Sequence, residues 1–176
     1  MVVGPAAALA AEREKPQSPI DIRGKLHDFQ RDTGKLLNEF EDAFILKNRT
    51  FEDQLRATYR TAEQAVRDDI ATADDWKKAQ RDGREKFRKL ETDMRQQVRL
   101  RREEGELEFL RFQKTREDEL KSFFEGLEND ILEYRKDPGY SQARSDLSEG
   151  KSELRDNLSK FRERIRSHRP ADRAWE

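Results

Sequence analysis

Between Trp76 and Tyr134 a mostly apolar line returns every three or four positions, through Ala79, Gly83, Phe87, Leu90, Met94, Val98, Arg102, Gly105, Phe109, Phe112, Arg116, Leu120, Phe123, Leu127 and Ile131, thinning at the polar Arg102. That spacing is the signature of one face of a helix. Only three glycines, Gly83, Gly105 and Gly126, weaken the run before Asp137-Pro138-Gly139 ends it; each costs roughly 1 kcal/mol relative to alanine. A helix of nearly sixty residues would span about 90 Å. A rod of that length does not fit inside a compact globule built from 176 residues.

Two further stripes flank it. From Ile22, Leu26, Phe29, Thr33, Leu36, Phe40 and Phe44 share a face that Leu37 widens, and Phe51, Leu55, Tyr59, Ala62, Val66, Ile70 and Ala73 continue it. The second set follows an eleven-residue pattern, which suits straight packing better than a tight left-handed supercoil. A break at Asn48 and one continuous helix are both compatible with the sequence. Beyond Pro138, Ala143, Leu147, Leu154, Leu158, Phe161 and Ile165 mark a last helix.

The expected fold is therefore all-α, an elongated antiparallel helical hairpin or bundle of coiled-coil type with one very long central helix and three to four helices in all. The helices are placed at about 22–72 (open to a break near 48), 75–136 and 141–167, in one domain covering 21–168. Thr72-Ala-Asp-Asp75 is the expected turn, with Thr or Asp capping the helix that follows. Because short connections make neighbours antiparallel, Phe29 should lie near Phe123 and Phe51 near Val98. One end would be a three-helix bundle, formed by residues 22–50, 105–136 and 141–167, and the other a two-helix projection with its tip near Asp74.

The termini read differently. Residues 1–20, with Pro16 and Pro19 and no periodicity, are expected as a flexible tail; the apolar start ending in small residues also resembles the trimmed end of an export or organellar signal. Residues 169–176 are expected to fray. Trp175 is unusual there and is the candidate for an anchor into a partner.

Composition limits the chemistry. Only 33% of residues are hydrophobic and 43% are charged, against about 45–50% and 25% in ordinary domains, so the apolar residues must lie in narrow stripes. Cysteine is absent, which removes disulfides, thiolate ligands and cysteine nucleophiles. His27 and His168 lack helical ligand partners, no glycine loop suited to phosphate occurs, and the many adjacent carboxylates are what a chain with 38 acids gives by chance. No catalytic, cofactor or metal residue is assigned, and an enzyme is not expected.

Charge order is more informative. The stretch 84–102 is rich in cations, 103–130 in acids, and 160–169 in cations again. Such blocks can fix register between helices or serve as docking patches. The partner-binding candidates are Arg84, Arg88, Arg95, Arg99, Arg101 and Arg102 in the first block, Phe109, Phe112 and Phe123 on the aromatic face, and Arg162, Arg166 and Trp175 near the end. Protein partners or self-association are the leading expectation, for a scaffold or accessory subunit. An anionic membrane surface comes second, and nucleic acid is disfavoured because neither patch carries aromatic platforms or a groove-reading motif.

Overall fold

The computed structural model describes residues 21–175. Among these it is an all-α helical bundle, 88% helical and without strands. Three helices follow one another: α1 (Ile22–Thr72), α2 (Trp76–Glu133) and α3 (Tyr140–Ser167). The expected tail over residues 1–20 lies outside the described residues. No described helix is long and apolar enough to cross a membrane.

Local chemistry fixes the helix ends. Asp21 accepts from the Gly24 amide at 2.7 Å and starts α1. Asp75 does the same for α2 through Lys78 N at 3.1 Å, satisfying an amide that has no partner within the helix. α2 ends at Glu133, three residues before the expected limit, because a turn at Tyr134 to Asp137 already prepares the chain for Pro138. α1 runs through Asn48 without interruption.

Three apolar clusters form the core. The first joins Ile22 and Leu26 of α1, Phe124, Leu127 and Ile131 of α2, and Leu147 and Leu154 of α3. In the second, Leu37 and Phe44 meet Phe109 and the α3 residues Leu158, Phe161 and Ile165. The third lies between Leu55 of α1 and Met94 and Val98 of α2, and is completed by Ala174 and Trp175. Along α1, Phe29 stacks on Phe123 at 4.0 Å between ring centroids, Phe44 lies against Gly105, and Val66 against Gly83.

Two faces differ from the expectation. Leu37, expected only to widen the stripe, is the core residue at 6% exposed, and Leu36, expected within the stripe, is 39% exposed. The reason is the step from Thr33 to Leu37 to Phe44, which keeps the buried line straight while Leu36 falls to its side. Similarly Phe124 is the deeply buried member of its pair, and Phe123 covers the core edge against Phe29.

Glycines separate into two kinds. A Cβ on Gly150 would meet both methyl carbons of Leu26 at 2.8 Å, whereas Gly126 is exposed and has nothing within 4 Å. Gly126→Ala should therefore stabilise the fold by about 0.5–1 kcal/mol, and Gly150→Ala should destabilise it by about 1–3 kcal/mol through overpacking. Thermal unfolding of the two variants, followed by circular dichroism, checks the opposite signs.

One ion pair ties α3 to the start of α1. Arg23 donates from Nε and Nη2 to Asp146 at 2.9 and 3.0 Å, and Gln142 donates to the same carboxylate at 2.7 Å. Hydrogen bonding from Arg23 outweighs desolvation and, with Gln142, holds the Asp146 carboxyl below the usual carboxylate range. Its folded pKa lies below its unfolded one, so its stabilisation is present above the unfolded value, about 3.9, and is lost as pH falls through the folded value. Asp146→Asn should accordingly lower stability at neutral pH, with the difference closing in strong acid. Urea unfolding at about pH 7 and about pH 2.5 measures both arms.

Candidate functional site

The region where α3 ends carries the richest polar chemistry. Asn48, 4% exposed, stands on the buried face of α1. Its Nδ2 donates to the carbonyl of His168 at 2.8 Å, and its Oδ1 accepts from Arg101 Nε at 2.9 Å. The adjacent Arg102 donates through Nε and Nη2 to the carbonyl of Pro170 at 2.9 and 2.5 Å, and through Nη1 to Asp172 at 2.6 Å. Arg169 pairs with Glu106, and His168 lies 3.5 Å from Glu41.

These contacts lay residues 168–175 along α1 and α2 as a strap. Its end is apolar: Trp175, 3% exposed, and Ala174, 2% exposed, close the cluster of Leu55, Met94 and Val98. Trp175 is thus spent inside its own chain, correcting the expectation of a frayed end or a partner anchor; the strap's carbonyls give it a fixed path. Arg101 and Arg102 are likewise held inward, with the Arg101 side chain 10% exposed.

The aromatic candidates are also consumed by the fold. Phe109 is 4% exposed, and Phe112 stacks on Phe40 at 4.2 Å while Phe123 stacks on Phe29. The stripe alone makes each a partner candidate because it does not say what covers it; here α1 and α3 do. On α3, Arg162 pairs with Glu117 at 2.7 Å, and Arg166 stays exposed.

What remains on the outside is a row of cations. Arg84, Arg88, Arg95 and Arg99 are all exposed, and their spacings of four, seven and four residues put them on one flank of α2. Arg95 and Arg99 are joined to Glu91 and Glu103 one turn away at 3.8 and 3.7 Å, loosely enough to leave them accessible. Lys86, in the same sequence block, instead reaches across to Asp69 at 2.7 Å. Its ammonium is pushed above the usual lysine range by that hydrogen bond and charge. The block therefore divides: part of it joins helices and part of it faces outward.

No group of three His, Asp or Glu side chains suited to a metal ion occurs among the described residues. Comparison of the chain with family models, with curated proteins and with solved structures returns no match.

Proposed function

We propose that the chain is a structural or interaction protein, a helical scaffold or accessory subunit whose exposed flank of Arg84, Arg88, Arg95 and Arg99 docks an acidic face of a partner protein. That flank carries the reading: four accessible guanidinium groups on one side of one helix suit paired, geometrically fixed recognition of carboxylates. The proposal includes the shape. α1 and α2 form an elongated antiparallel hairpin of coiled-coil type, with α3 making one end a three-helix bundle and the turn at 73–75 forming the far tip.

Support for the shape comes from the contacts past the end of α3, where Tyr59 meets Phe87 and Val66 meets Gly83 with no α3 residue between them. Small-angle scattering should give a maximum dimension near the 90 Å set by α2. A compact particle would overturn it. For the partner, a photo-crosslinking residue at position 88 is expected to capture a discrete protein that the same residue at position 93 does not. Lipid adducts at 88 would replace this reading with docking to an anionic bilayer, and absence of any adduct specific to 88 would remove the flank as a site.

A further inference from the structure

Opposite the buried seam of α2 lies a short apolar line. Leu100, Leu107 and Leu110 are 46%, 54% and 48% exposed. Leu107 is nine residues from the buried Val98, two and a half turns of helix, and so points away from the core. Scattered exposed leucines need no explanation, but these three share one side of one helix at spacings of seven and three, the rhythm of a helix-pairing seam.

We propose that this outer face of α2 pairs antiparallel with the same face of a second copy of the chain. The occupant follows from charge. When Leu107 of one copy lies over Leu110 of the other, the two-fold axis that relates them also sets Glu103 over Lys114, since both pairs are centred on the same point of the helix. Glu104 then falls beside Arg111, its centre one residue away and within reach of two long side chains. Leu107 and Leu110 meet their counterparts and acid meets base twice over, with no like charges opposed at these positions, while Leu100, which the same axis sets over Glu117, lies at the margin of the contact; a two-fold interface requires such self-complementarity.

The side chains are available for it. Lys114 and Arg111 form no ion pair among the described residues, and Glu103 and Glu104 are held only by Arg99 and Arg101 on their own helix, each at 3.7 Å. Three half-exposed leucines per copy fall well short of the roughly 1,200–2,000 Å² of a stable interface. The dimer is therefore weak and reversible, a contact that adds strength when copies are already gathered on a common partner.

Sedimentation velocity of the whole chain from about 10 µM to about 1 mM tests it. The expected result is a rising sedimentation coefficient that fits monomer and dimer. Leu107→Asp should weaken the dimer at least about tenfold, since it sets a charge in the seam. Glu104→Arg and Arg111→Glu should each weaken it about two- to fivefold at low salt, and the two together should restore it. Leu46→Asp, on the outer face of α1 and 66% exposed in the parent, should change nothing. A chain monomeric throughout, association indifferent to Leu107→Asp, or failure of the charge exchange to restore it would each overturn the proposal. The charge-exchange pair stands even if the aspartate variant loses helix content.

Discussion

Replacing Phe161 by alanine is expected to destabilise the protein by about 3–5 kcal/mol, the loss typical of a fully buried aromatic ring. Phe161 is 2% exposed and is the ring around which the second cluster turns, with Phe40, Phe109 and Phe112 all within 6.1 Å between centroids. α3 supplies it, α1 supplies Phe40, and α2 supplies the other two. Truncation therefore opens a void where all three helices meet, and no single helix can shift to fill it. The effect should appear as a fall in Tm of about 10 °C, readable by calorimetry. An unchanged Tm would mean that α3 does not pack as described.

Asn48→Ala is the second large effect, about 2–4 kcal/mol, through a different mechanism. Nothing large is removed from the core. What is lost is the amide that serves two buried groups at once, the His168 carbonyl and the Arg101 guanidinium, and a buried polar group left without its partner costs far more than the bond contributes when made. The Arg101 Nε is the more costly orphan, because the carboxylates of Glu104 and Glu108 meet this guanidinium only at Nη1, each at 3.7 Å. Exchanging both residues for leucine should recover part of the loss, because then no Nε–H is left without its acceptor. Urea unfolding of the two single variants and the double variant measures that coupling, and strictly additive losses would sever the proposed link between the residues.

Much of the helical organisation could be read from spacing alone. Leu26, Phe44, Leu55, Val98 and Leu154 step by turns of the helix and all are buried, because in a chain this poor in apolar residues a narrow stripe has only one use. Phe29 and Phe123, expected as neighbours, stack ring on ring. Spacing failed where the deciding factor is not hydrophobic. Asn48 looks like a gap in the stripe because its role depends on a carbonyl 120 residues away. Gly150 is a buried contact point for Leu26, yet a residue without a side chain leaves no mark in a hydrophobic pattern.

The strap was illegible for a related reason. Trp175 lies beyond Pro170, outside any helical period, and its seat combines residues from two helices far away in the sequence. The basic run at 84–102 was visible as a run, but its division into inward and outward groups depends on which side of α2 meets α1 and the strap. That is a property of the packed bundle, and composition does not carry it.

The two tryptophans of the chain stand in opposite surroundings, Trp76 being 56% exposed beside the turn and Trp175 3% exposed beneath the strap. They make the molecule its own optical gauge. Indole emission should divide into a red component that a dissolved quencher reaches and a blue component that it does not. Lifting the strap alone would convert the blue component to red while the helical ellipticity stayed almost constant, whereas melting of the bundle would move both signals together.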